Sequence, residues 1–242
     1  MLSQARRTYG LLFIATLIAA GGCNEFGSST ADKIAVAIRN DDADEVARLA
    51  KDGVSLNKKN SRGESLLLLA YHSGSRKSYQ ALLDAGADPN VVLSEGKSLM
   101  ALVAKSDDAF WISSALQKGG DANIEDTKGS GTPAATPLMH AIQAHKRENV
   151  EVLVKHGANM NHKDFYKASP LTLAAGANQF DITFVLLEAG ADVSVPNQVG
   201  NSIAEYMKWK DVNRGIAPSQ KEWFLKVKEF LEKHGHLEKR AD

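Results

Sequence analysis

The chain has 242 residues, 43% of them hydrophobic, with 29 Lys plus Arg set against 29 Asp plus Glu and a single cysteine, Cys23. That apolar content is enough for a continuous core. The balanced charge offers no basic stripe of the kind that neutralises several phosphates, which argues against a nucleic-acid partner, and one cysteine excludes both an intramolecular disulfide framework and a multi-cysteine metal site.

In chain order, Arg6 and Arg7 form a positive segment, Gly10 to Ala20 an apolar run of 11 residues, and Ala19, Ala20, Gly21 and Gly22 lead directly into Cys23. The run is too short for a bilayer span of about 20 residues. This order of segments resembles a bacterial lipoprotein signal, which implies cleavage before Cys23 and acylation of that residue, with attachment to the membrane through the lipid. An ordinary cleaved signal peptide in which the cysteine is incidental is the alternative reading. Ala20 stands where the commonest lipoprotein box has leucine. Asn24 then occupies the second position of the processed chain, where the same resemblance implies a periplasm-facing, outer-membrane location. Residues 24–30 read as a tether, its small and polar members Glu25 to Thr30 reaching roughly 20 Å at about 3.3 to 3.6 Å per residue.

Beyond Ala31 the chain is periodic. Gly53, Gly86, Gly119, Gly157 and Gly190 recur at intervals of 33, 33, 38 and 33 residues, each with an apolar pair about three places upstream. A unit of this size cannot bury its apolar face alone and must stack on its neighbours. Gly63 to Asn90 reads as turn, helix, tight turn, helix and glycine stop, with Leu67, Ala70, Leu82 and Leu83 facing adjacent layers. Gly86 sits where a left-handed residue ends the second helix.

The motifs Thr136 to Ala141 (TPLMHA), Ser169 to Ala174 (SPLTLA) and Ser65 to Ala70 (SLLLLA), followed by LLDAGADPN, LVKHGANMN and LLEAGADVS, resemble the ankyrin repeat. Asn57, Asn90, Asn123 and Asn161 keep one register, with Ser194 as the fifth. The resemblance implies an all-α solenoid of helix-turn-helix units with hairpin fingers: five repeats over 31–196, then a degenerate sixth unit and a C-terminal cap over 197–242. His140 lies one place later than the family's usual histidine, so its bond to the capping Thr136 is in doubt. The first unit lacks the opening motif, as an end cap does.

The 38-residue interval locates an insertion near Lys128 to Ala135 (KGSGTPAA), which lengthens the finger between units three and four and is either a contact loop or a tolerated neutral insertion. The repeat pattern returns at Gly200 to Met207 and breaks from Trp209. Ser219 with Glu222 reads as a capping box opening a last helix that Gly235 ends. Trp223, Phe224, Val227, Phe230 and Leu231 share one face of it, either covering the last interface or meeting a partner.

Catalytic motifs are absent from the sequence. Gly96-Lys97-Ser98 lacks the upstream glycine of a phosphate loop, His140 and His145 have no acidic residue completing a helical metal pair, and there is no G-x-S-x-G elbow. The expectation is a non-enzymatic binding protein with no cofactor and no metal, monomeric when free. Family contact positions map onto Arg62, Glu64 and His72 in unit two, Glu95, Lys97 and Lys105 in unit three, Gln143 in unit four, and Phe165 and Tyr166 in unit five. The aromatic pair is either an interface anchor or local packing between fingers. The resulting expectation is an immunity or inhibitor protein neutralising a periplasm-acting toxin such as a secreted phospholipase. The alternative is a periplasmic scaffold or stress-protection factor for an enzyme such as a catalase.

Overall fold

The computed structural model describes residues 25–93, 96–127, 134–196, 199–213 and 215–237, without the side chains of 211–213. Cys23 and the segment preceding it therefore lie outside the described residues. Helices fall in pairs: α1 (Ser29–Arg39) with α2 (Ala43–Ala50), α3 (Leu66–His72) with α4 (Arg76–Asp84), and α5 (Leu99–Val103) with α6 (Phe110–Gln117). They continue as α7 (Pro137–Gln143) with α8 (Arg147–Lys155), α9 (Pro170–Gly176) with α10 (Phe180–Glu188), and α11 (Ile203–Asn213) with α12 (Lys221–Lys233). First helices stack on first helices and second on second, giving two layers, and α12 takes the second-helix place of a sixth unit against α10. Among the described residues no helix is long and apolar enough to cross a membrane.

The units start and stop for local chemical reasons. Ser65, Ser98 and Ser169 accept the backbone N–H of Leu68, Ala101 and Thr172, satisfying donors that a helix start leaves orphaned. Pro137 and Pro170 occupy the first helical turn, where the missing N–H costs nothing. At the other end Gly53, Gly86, Gly119, Gly157 and Gly190 hold φ between 72° and 90°, a region closed to most side chains. The following N–H then folds back, as in Ala87 to the Leu82 carbonyl at 3.0 Å and Ala191 to that of Leu186 at 2.9 Å.

Burial follows the same register. Leu67, Ala70, Leu82 and Leu83 are buried, and the position four residues before each terminal glycine, occupied by Leu49, Leu82, Ala115, Leu153 and Leu186, is at most 4% exposed. Where unit three carries only Ala115, the indole of Trp111 fills the layer edge-on to Tyr71 and Tyr79, at centroid distances of 5.3 and 5.1 Å.

The asparagine register is a hydrogen-bond ladder along the stack. Asn57 Oδ1 accepts Asp88 N–H at 2.9 Å, Asn90 Oδ1 accepts Asp121 N–H at 2.7 Å, and Asn161 Oδ1 accepts Asp192 N–H at 2.9 Å. Asn123 spans the junction with both ends of its amide: Oδ1 accepts Asn159 N–H at 2.7 Å and Nδ2 donates to the Gly157 carbonyl at 3.1 Å. The ladder joins one unit to the next where helix termini would otherwise need water. Asn123→Ala is expected to cost about 1–3 kcal/mol, two exposed bonds at about 0.5–1.5 each. An unchanged urea midpoint would show that water replaces the amide without loss.

Two expectations need correction. Glu25 to Thr30 is not a free spacer: Phe26 is 3% exposed, its N–H donates to Asp32 Oδ1 at 2.8 Å, and α1 already begins at Ser29. Phe26 buries its ring against the first helix pair, and Glu25 bonds to Arg39 of α1. The capping box at Ser219 does not form either. Pro218 opens a 3-10 turn over Pro218–Gln220, Gln220 Oε1 instead accepts the Asp181 N–H at 3.2 Å, and Glu222 pairs with Lys226 at 2.8 Å. The capping box of this region lies earlier, where Ser202 and Glu205 exchange bonds at the start of α11.

On α12 Phe224, Val227 and Leu231 are buried, with Phe224 edge-on to Phe180 at 5.1 Å. Trp223 and Phe230 lie half-buried against Phe184. The aromatic stripe thus covers the last interface, and Gly235, at φ 75°, follows the helix end.

Candidate binding surface

The solvent face of the first helices carries one residue per unit in strict register: His72, Lys105, Gln143, Gly176 and Trp209. All are exposed except Lys105, which is half-buried, and Trp209 retains 57% of its area. They sit at the same distance past the capping Ser65, Ser98, Thr136, Ser169 and Ser202, so the stack aligns them in a row. Half-buried Leu102, Leu173 and Tyr206 flank it one turn back, Tyr206 near the Trp209 ring at 6.1 Å. His72, Lys105 and Gln143 were expected in this row. Trp209 was missed because its row mates are a histidine, a lysine, a glutamine and a glycine, and only its 33-residue spacing from Gly176 gives it away.

The remaining expected positions belong to the fingers, except Glu95, which lies outside the described residues, as does most of the insertion. In finger two the antiparallel bridge Lys59↔Ser65 closes a turn in which Asn60 Oδ1 accepts the N–H groups of Arg62 and Glu64, both at 2.9 Å. Finger three repeats this with Val92↔Ser98, which leaves Lys97 half-buried beside the turn glycine Gly96. Finger five closes on Asp164, which accepts the Ala168 N–H at 2.9 Å and throws Phe165 (69% exposed) and Tyr166 (49%) outward, edge to face at 5.4 Å.

The glycine slot of the turn, Gly63 and Gly96 in fingers two and three, is taken by Ala134 and Lys167 in fingers four and five, each at φ 60°. A Cβ in that region stores strain. Fingers also bond sideways: the Lys59 ammonium to the Val92 carbonyl, Thr127 N–H to the Gly96 carbonyl at 2.9 Å, and His162 Nε2 to that of Ala134 at 2.7 Å.

Arg62 and Glu64 are committed within the chain. Arg62 donates to Glu25 at 2.9 Å and pairs with Glu64 at 3.3 Å, while Glu64 also faces His72 Nδ1 at 3.6 Å. Glu25 further accepts Arg39 at 2.8 Å and Asn60 Nδ2 at 3.0 Å. Burial pushes the Glu25 carboxyl up, but Arg39, Arg62 and Asn60 together hold it below the usual glutamate range. The lowered value means that this network supports the fold above the ordinary glutamate pKa, and that its contribution is lost as pH falls through the folded value. Neither the partners of Glu25 nor its place at finger two was legible in the sequence.

His140 and His145 have structural places. His140 is buried and, as anticipated, makes no bond to Thr136, whose hydroxyl has no partner in the structure. Its Nε2 lies 2.7 Å from Asp126 Oδ2, with side-chain exposures of 3% and 0%. Asp126 stands at the root of the lengthened finger, its backbone paired with Ala134 and Ala135. His145 instead occupies the left-handed slot between α7 and α8, at φ 58°, as Gly74 does between α3 and α4. Among the described residues no group of three His, Cys, Asp or Glu stands close enough to hold a metal ion.

Residues 99–197 match the family model described as ankyrin repeats in three copies. The crystal structure of EF0377, an ankyrin repeat protein, is similar with a TM-score of 0.66 at 20% identity, over 84% of this chain and 98% of that one. The matched segment spans units three to five, and the helix pairs on either side of it continue the same two layers. The chain is folded as an all-α solenoid of ankyrin repeats.

Proposed function

We propose that this protein binds another protein stoichiometrically through the first-helix row, from the periplasmic side of the bacterial envelope to which Cys23 anchors it. Its task on this reading is to neutralise a periplasm-acting toxin such as a secreted phospholipase. The observation that carries the binding role is the aligned row His72, Lys105, Gln143, Gly176 and Trp209, which ends in a largely exposed indole beside Tyr206. Stacking consumes the apolar residues between layers, while this row lies on the solvent face of the first helices. Tryptophan is among the residues that dominate interface energy when a partner desolvates them. The lipoprotein-like segment before Cys23 supports the anchoring.

Trp209→Ala is expected to weaken partner binding by ~2 kcal/mol or more, the size of a hot-spot effect, while the melting temperature changes little. Pull-down against secreted and periplasmic proteins, followed by titration of the captured enzyme's activity, measures both. Capture that survives Trp209→Ala together with Lys105→Glu and Gln143→Arg would remove the row from the interface. A captured enzyme left fully active at a one-to-one ratio would remove the inhibitor role.

A further inference from the structure

The fingertips form a surface distinct from the first-helix row. Of the large hydrophobic side chains that stay exposed, Val92, Phe165, Tyr166 and Val199 all lie on fingers, with Phe165 at 69% and Val199 at 79%. Basic residues interleave with them: Lys58 and Lys59 on finger two, Lys97 on finger three, and Lys163 and Lys167 on either side of the aromatic pair. The acids of the same fingers are engaged inward. Among the described residues Glu64 pairs with Arg62, Asp126 is buried against His140 and Asp164 is buried in its own turn, whereas Glu125 is exposed near His162 at 3.7 Å.

Glu25 is tied to this edge through Asn60 and Arg62 of finger two. An acyl chain carried by Cys23, two residues earlier, would start within about 7 Å of Glu25, at roughly 3.5 Å per residue. From these placements we propose that the fingertip edge docks on an anionic lipid surface, the same bilayer that holds Cys23; this rests on the anchoring read above. Lysines at the headgroups with aromatic and aliphatic tips entering the interface are the chemistry such a surface recognises. The lipid on Cys23 holds the protein at the bilayer, and the basic patch adds a second contact that orients it there. The first-helix row then opens sideways over the membrane, where a partner that attacks lipids would be met.

The test uses the full chain as processed in the envelope, reconstituted into vesicles of phosphatidylethanolamine and phosphatidylglycerol with nitroxide-labelled lipid. A fluorescent amino acid replaces Tyr166 or, as a control in the second-helix layer, Glu151. Quenching at least threefold stronger at 166 than at 151 is expected. Lys163→Glu with Lys167→Glu should bring position 166 down to the control level while the protein still floats with the vesicles. Both lysines are exposed, and an unchanged thermal melt separates charge loss from misfolding. Equal quenching at 166 and 151 in floated protein would overturn the proposal and give this edge to a protein partner. Failure to float would overturn it together with the anchor.

Discussion

His140→Leu is expected to lower the free energy of unfolding by about 1–3 kcal/mol, the cost of leaving a buried polar group without its hydrogen-bond partner. Asp126 has no exposed side-chain surface and its Oδ1 lacks a hydrogen bond, so among the described residues the imidazole at 2.7 Å is its one side-chain hydrogen-bond partner. Leucine fills the volume but leaves the carboxyl group without a donor in an apolar setting. The double variant with Asp126→Leu should recover much of the loss, because replacing both members by apolar groups is close to neutral. Urea denaturation of the four proteins in the cycle measures this. A single-variant loss below about 1 kcal/mol would mean that water reaches the root of the lengthened finger.

Leu186→Ala is expected to cost about 2–5 kcal/mol by opening a cavity between layers. Leu186 is fully buried in α10, between the α8 layer and the cap helix α12, and its carbonyl accepts the N–H that turns the chain after Gly190. Each unit meets only its neighbours, so the damage should concentrate at the C-terminal end of the stack. Hydrogen exchange should report faster opening of α9 to α12 and little change in α1 to α4. Uniform loosening, or a silent substitution, would contradict a nearest-neighbour stack.

What could be read from the sequence was what repeats. Terminal glycines, paired leucines and register asparagines each answer a requirement set within one unit, so their spacing alone displayed the fold. Features decided between units were hidden. The asparagines were visible as a pattern, whereas their acceptor and donor partners lie 29 to 36 residues away. Asp126 was invisible as the partner of His140 because the inserted loop separates them.

Local chemistry misled in two places. Glu25 to Thr30 looked like a tether because five polar or small residues outweigh one phenylalanine, whereas the burial of Phe26 and the ion pairs of Glu25 hold the segment down. Ser219 and Glu222 matched a capping box in spacing, but Pro218 had already committed the backbone to a tighter turn. At the surface, balanced composition gave no sign that lysines stand beside the exposed aromatic pair of finger five. His72, Lys105 and Gln143, expected as contact positions, fall on the first-helix row, while Trp209 lay where the repeat pattern broke.

The row on the first helices meets its most direct test in site-specific photocrosslinking within the native envelope, with the crosslinking amino acid at Gln143 or Trp209 and, for comparison, at Glu151. A single discrete adduct to the same protein from 143 and 209, with none from 151, is the expected outcome. Adducts from 151 alone, or unrelated adducts from 143 and 209, would show that the binding surface lies elsewhere.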